Sequence, residues 1–280
     1  MASCAIPAPR LEEPFKVLIL GDSISIGYTQ GVREILGNRA TVVRPTHANT
    51  GKPENCAGTT YGKNQIDRWL GLEGGNFDIV HFNFGLHDLK RVHPETGKNS
   101  NRPDDPPQAT LEVYAAQLRN ITSRLKASGA RLVFATTTPV PEGKVGPHRD
   151  PGDVVLYNDA ARALMAEFDI PVDDLFAFAL PRLTEIQRPS NVHFTPEGSR
   201  MLAKEVVKAI SGQLKKKRPG LSFNRCFASP GFANMMKRMK FLDRRTDNPA
   251  RHKDLLMPKQ SLAACLAILL LSLSASVSAE

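Results

Sequence analysis

Ser23, in Gly21-Asp22-Ser23, and His193 are the two side chains whose surroundings point most directly to chemistry. Ser23 lies in the stretch LILGDSISIG, where an apolar run meets an acid, two serines and two glycines. A serine hydroxyl is a poor nucleophile until a base takes its proton and donors hold the oxyanion that forms. A small residue ahead of it lets the turn be tight, and a helix starting there offers free backbone N–H groups. Imidazole is the usual base because it titrates near neutrality. His193, in PSNVHFTPEG, stands just before a helix start. Between the two lie ENCAGTTYG (54–62) and NFGLHD (83–88), both offering small residues and polar donors. Each block alone has a plainer reading, since Gly-Asp-Ser is also an ordinary capped turn.

Hydrophobic periodicity supplies the elements that must position these groups. FKVLILGD (15–22) is a short apolar run ending in glycine, as buried parallel strands read. ATVVRP (40–45), FDIVHFNFG (77–85) and ARLVFATTT (130–138) are three more, and a fifth short strand is expected near IPVDDLFAF (170–178). Leu111, Tyr114, Leu118, Ile121 and Leu125 fall at helical spacing and Gly129 stops that helix. DVVLYNDAARALMAEFD (153–169) is a second amphipathic helix, and TPEGSRMLAKEVVKAI opens a last one with Thr195 as N-cap and Pro196 in its first turn. Strands alternating with helices predict right-handed crossovers and a parallel sheet covered on both faces. Such sheets carry their sites at the carboxyl ends of the strands, where Ser23 leaves the first. The polar, proline-rich stretch 91–108 follows the third strand as an expected rim or lid.

In this order and context the blocks resemble the SGNH (GDSL-type) hydrolase superfamily over about residues 15–214. The resemblance implies a flavodoxin-like three-layer α/β/α sandwich with about five parallel strands, and a serine esterase needing neither cofactor nor metal. It implies Ser23 as nucleophile with its own N–H as an oxyanion donor, and His193 as general base. Gly58, in NCAG, would be the second donor, with Gly62 as an alternative alignment. Two positions depart from the family pattern. Where an asparagine donor is usual, Gly85-Leu86-His87-Asp88 has His87; a neutral imidazole N–H can also donate, and Asn83 is the alternative amide. Where an aspartate orients the base, Ser190-Asn191-Val192-His193 has Ser190. His193 must then be held by a backbone carbonyl, by Ser190 or Asn191, or by an acid such as Asp174 or Glu185, and a Ser–His dyad supported by neutral groups is expected. Asp22, Ser190 and Asn191 are the supporting residues. The competing reading is a catalytically weakened or inactive binding domain on the same fold.

A composition 41% apolar and 23% charged is that of an ordinary globular protein. The net charge of +9 is concentrated outside the blocks: 13 of the 37 basic residues fall within 215–260 against three acids, which leaves residues 1–214 balanced. That distribution argues against a nucleic-acid surface on the folded domain. Cys4, Cys56, Cys226 and Cys265 are scattered, without metal-ligand or disulfide patterning. The expected organisation is an extension (1–14), the hydrolase-like domain (15–217) and a basic tail (218–280). That tail ends in an uncharged apolar segment, 261–279. The segment reads either as a tail anchor, leaving a cytoplasmic or membrane-associated enzyme, or as a signal-like sequence out of place. The amino terminus has no signal-peptide pattern. Loops 91–108 and 139–153, carrying His93, Lys98, Lys144, His148 and Arg149, offer a polar mouth without an apolar lid. The expected substrate is therefore a small-molecule or carbohydrate ester, a short acyl group on a polar carrier such as an acetylated carbohydrate.

Overall fold

A computed structural model describes residues 14–214. The basic tail, the apolar segment 261–279, the boundary at 217 and the extension before Pro14 lie outside the described residues.

Five parallel strands form one sheet in the order β2-β1-β3-β4-β5, the flavodoxin-like arrangement. They are β1 (Phe15–Leu20), β2 (Ala40–Val43), β3 (Ile79–Phe82), β4 (Arg131–Ala135) and β5 (Val172–Asp173). Val17 to Leu20 and all of β3 are buried, as both-face coverage by helices requires. Burial of this apolar sheet, at about 25 cal/mol per Å² removed from water, is the main force holding the layers together. The fifth strand is shorter than expected. Only Val172 and Asp173 pair with β4, and Asp174 then caps a short helix, α5 below, by accepting from Ala177 N at 3.1 Å.

Helix α1 (Ser23–Leu36) buries Ile24, Tyr28, Val32 and Leu36, one side of the cylinder at four-residue spacing. Helix α2 (Thr59–Leu70) falls where periodicity predicted no element, and α3 (Leu111–Ala127) and α4 (Pro151–Glu167) fall close to where periodicity puts them. After α5 (Leu175–Ala179) and α6 (Leu183–Ile186), α7 (Pro196–Leu214) packs against α1. Thr195 does cap α7, its hydroxyl accepting from Gly198 N at 3.0 Å. The packing of α2 on α3 and of α3 on α4 builds the second helical layer.

The loops after β3 and β4 are tied together rather than loose. Arg91 N donates to His148 O at 2.8 Å, His148 N to Ser100 O at 2.8 Å, and Arg91 pairs with Asp153 at 2.9 Å. The expected lid is thus a braced rim.

Candidate active site

The order of the strands reverses between β1 and β3, and ligand crevices form at such switch points, outside the carboxyl ends of the strands. Ser23 leaves β1 there and begins α1. The Asp22 carboxylate caps that helix, accepting from Ile24 N at 2.8 Å, so the Ser23 N–H is left among the free donors of the first turn. Two groups from later in the chain fix the turn. The Gly21 carbonyl accepts from Cys56 N at 3.1 Å and from Arg44 Nη2 at 2.7 Å. Buried Arg44 also reaches Glu54 O at 3.0 Å and Ser25 Oγ at 2.7 Å, fastening the 54–58 loop to the serine turn.

His193 meets this turn from the far end of the domain. Its Nε2 lies 2.8 Å from Ser23 Oγ. On its other side, Asn191 Oδ1 is 2.9 Å from the backbone N of His193 and 2.7 Å from ring Nδ1. The backbone N–H can only donate, so the Asn191 atom facing it is the carbonyl oxygen. That oxygen requires a proton on Nδ1, which leaves the Nε2 lone pair aimed at Ser23. Ser190 makes the bend with a left-handed φ of 51°. Of the supports weighed from sequence, Asn191 is the one in contact with the ring. Asp174 is instead bonded to Arg162 and Thr136, and Glu185 is exposed on α6. Burial pushes the His193 pKa below its ordinary value, partly offset by Asp22, while the positive charges of Arg188 and Arg149 add to the lowering.

Ser23 and His193 open onto a cleft of about 340 Å³. His87 lines it too, on the tight turn after β3, where Asp88 N and Leu89 N both donate to Gly85 O. Gly85 takes φ 152°, and a Cβ there would run into Thr137 Oγ1, so no side chain fits. Burial lowers the His87 pKa to about 4, and the charges of Lys90, Arg149 and His193 oppose protonation further, against Asp22. The ring is neutral at physiological pH and carries one N–H donor.

Asn83 is placed differently from the reading that offered it as an oxyanion donor. Its amide donates to Ala135 O at 2.8 Å and faces Thr137 Oγ1 at 3.4 Å, so its N–H groups are committed inside the sheet. Gly58 precedes α2 and is not on the cleft wall, although Asn55 of the same block is. Gly62 faces Phe84 and Ile121 in the core.

Two residues that sequence reasoning passed over complete the arrangement. Asp88 Oδ1 accepts from Thr59 N at 2.8 Å and lies 2.6 Å from Thr59 Oγ1, so a carboxylate from the β3 loop caps α2. A Cβ at Gly58 would come within 2.9 Å of that carboxylate. Asn55 Oδ1 accepts from Ala57 N at 2.9 Å, closing a turn in which Ala57 has φ 52°. Asp88 was visible as the last residue of GLHD; nothing local marked Asn55. Of the loop residues proposed for a polar mouth, Arg149 lines the cleft, and His93, Lys98, Lys144 and His148 do not. Cys56 is buried, and burial raises its thiol pKa to about 12, which makes it inert.

Residues 19–201 match the GDSL-like lipase/acylhydrolase family, a span that contains every block of the site. The chain belongs to that family. As a member of it, the GDSL-like chain is an ester-hydrolysing enzyme. Solved structures of the same fold include a lipase/acylhydrolase from Enterococcus faecalis, 20% identical over 72% of this chain and 98% of that one, with a TM-score of 0.56. An acetyl xylan esterase is 16% identical over 70% and 100% of the two chains, with a TM-score of 0.54. An alpha/beta hydrolase enzyme from the metagenome of Lake Arreo, Spain, is 16% identical over 72% and 97%, with a TM-score of 0.52. No curated protein matches the chain. At these identities the likenesses establish the fold of this GDSL-like hydrolase, and its own side chains must supply the chemistry.

Proposed function

We propose that the chain hydrolyses short-chain carboxylic esters through an acyl-enzyme on Ser23, with carbohydrate O-acetyl esters as the leading class. The observation that carries the proposal is the 2.8 Å approach of His193 Nε2 to Ser23 Oγ, with Nδ1 held by Asn191. As Ser23 Oγ bonds to the ester carbonyl carbon, its proton moves to Nε2 and the carbonyl π pair moves onto oxygen. The Ser23 N–H and the His87 imidazole, both on the cleft, are the donors proposed for that oxyanion. When the tetrahedral species collapses, the C–O bond to the alcohol breaks and the alkoxide leaves with the proton from Nε2. Water repeats the sequence with His193 as base, releasing the acid and restoring the serine.

Asn191 answers the missing aspartate: it fixes the tautomer without adding a charge, so the base is oriented but its protonated form is stabilised less. The cleft favours a small acyl group on a polar carrier, because it is near the lower end of ligand-site volumes and sets serine, asparagine and basic side chains beside a small apolar surface of Leu86, Val145 and Val192. The acetyl xylan esterase among the solved structures of this fold is in keeping with that class.

The test is hydrolysis of p-nitrophenyl acetate, butyrate and octanoate by wild type and Ser23→Ala. Acetate turned over fastest, and lost with Ser23→Ala, is the expected result, along with an acetylated Ser23 trapped by rapid acid quench. Equal rates in the two proteins would return the chain to a binding role.

A further inference from the structure

Lys90 and Arg149 both line the cleft that holds Ser23 and His193, one from the loop after β3 and one from the loop before α4. Arg149 is 6% exposed, and two of its nitrogens are used to hold loops: Nε donates to Leu86 O at 2.8 Å and Nη1 to Pro147 O at 3.1 Å. Its Nη2 has no partner among the described residues, and neither has Lys90 Nζ. Neither cation forms an ion pair there, although Arg68, Arg91, Arg124 and Arg162 each have a carboxylate. The acids whose fields reach them are otherwise engaged: Asp22 caps α1 and Asp88 caps α2.

Arg149 is buried and Lys90 half-buried, and the positive charge of each is felt by the other without a carboxylate paired to either. Such a pair is better satisfied when something else supplies negative charge. Burial lowers both pKa values, Arg149 to about 10, which leaves that guanidinium charged at neutral pH. The amide of Asn99 lies on the same wall and can donate to an oxyanion.

We infer that Lys90 and Arg149 form an anion subsite beside the nucleophile, so that the preferred ester carries a carboxylate, sulfate or phosphate group near the scissile bond. The inference rests on the esterase reading and narrows it: the carrier is acidic as well as polar. A guanidinium edge and a mobile ammonium suit oxyanions of either planar or tetrahedral shape, which is why the class is named by its charge.

The experiment measures kcat/KM of the full chain at low salt for a neutral ester, phenyl acetate. It compares this with 4-acetoxybenzoate and 4-acetoxybenzenesulfonate, with the anion on the alcohol side, and with p-nitrophenyl hydrogen succinate, with the anion on the acyl side. Lys90→Gln should lower kcat/KM for at least one anionic ester about tenfold more than for phenyl acetate, the order of one charge-assisted contact. Wild-type preference for that ester should shrink as sodium chloride is raised. The side on which the selective loss falls assigns the subsite to the alcohol or the acyl portion. Equal losses on neutral and anionic esters would mean that the cations serve the oxyanion or the fold, and would overturn the inference. Arg149→Met should act in the same direction; if it unfolds, Lys90→Gln and the salt series decide. If wild type and Ser23→Ala are equally inactive on every ester, the esterase reading has failed by itself. The subsite is then judged by calorimetric binding of 4-hydroxybenzenesulfonate against phenol. Anion-selective binding lost in Lys90→Gln supports it, and its absence overturns it.

Discussion

Asn191 Oδ1 accepts two hydrogen bonds from one residue, the backbone N–H of His193 at 2.9 Å and its ring Nδ1–H at 2.7 Å. The arrangement orients the imidazole as a carboxylate would, but without the charge. Replacing Asn191 by aspartate should keep both bonds and add that charge. The acid limb of kcat/KM should then move up by roughly one pH unit or more, as a nearby opposite charge does to a titrating group. Asn191→Ala frees the ring, and kcat should fall by about 10² to 10⁴ with little change in KM. An unmoved pH profile in the aspartate variant would mean that the ring turns away from residue 191 when substrate binds.

The pH dependence of the wild-type enzyme follows from His193. Its base form is required, and burial places its pKa below the usual value of 6.5. Activity should therefore be fully developed at neutral pH and fall only as the pH drops below 6.5. A profile of kcat/KM against pH that is half-lost above 6.5 would contradict the buried, weakly supported imidazole described above.

His87 should behave as a hydrogen-bond donor rather than as an acid. Its pKa of about 4 keeps it neutral throughout the working range. His87→Ala should cost about 10² to 10³ in kcat, the usual effect of losing one oxyanion donor. His87→Asn, which restores an amide N–H, should recover most of that loss. If the asparagine variant is as slow as the alanine one, the ring has another task.

Asp88 should act on activity through position. With alanine there, the buried Thr59 N–H loses its acceptor, which should lower stability by about 1–3 kcal/mol and reduce kcat as the Gly58 turn loosens. Burial raises the Asp88 pKa from 3.8 to about 6, against the Thr59 bonds, so the folded protein holds this proton more tightly than the unfolded chain does. Stability contributed by that proton is present below pH 3.8 and is lost as the pH rises towards 6 and beyond. Asp88→Asn should gain on wild type over that window in denaturant titrations at a series of pH values. A constant difference between the two proteins would show that the carboxyl titrates normally.

The sheet, most of its flanking helices and, through the family blocks, the serine–histidine pairing were legible in the linear chain, whereas α2 was not. Apolar runs ending in glycine mark buried parallel strands, Asp22 and Thr195 mark helix starts, and those signals depend on local backbone physics that each segment carries with it. What orients the base and what surrounds the ester depended on contacts between segments far apart in sequence. Asn191 and Ser190 were equally eligible until the left-handed bend at Ser190 put the Asn191 carbonyl on the ring. Asn83 was an eligible donor until Ala135, on the neighbouring strand, took its amide. Gly58 and His87 were read as separate blocks, and only the Asp88 carboxylate reaching Thr59 joins them. Arg149 was merely a basic residue in a polar loop and Lys90 went unread between two blocks, because a sequence shows charge but not whether an opposite charge stands beside it. Hydrogen bonds and ion pairs are short-range and directional, so which of several plausible partners is used is settled only when the fold brings them within about 3 Å.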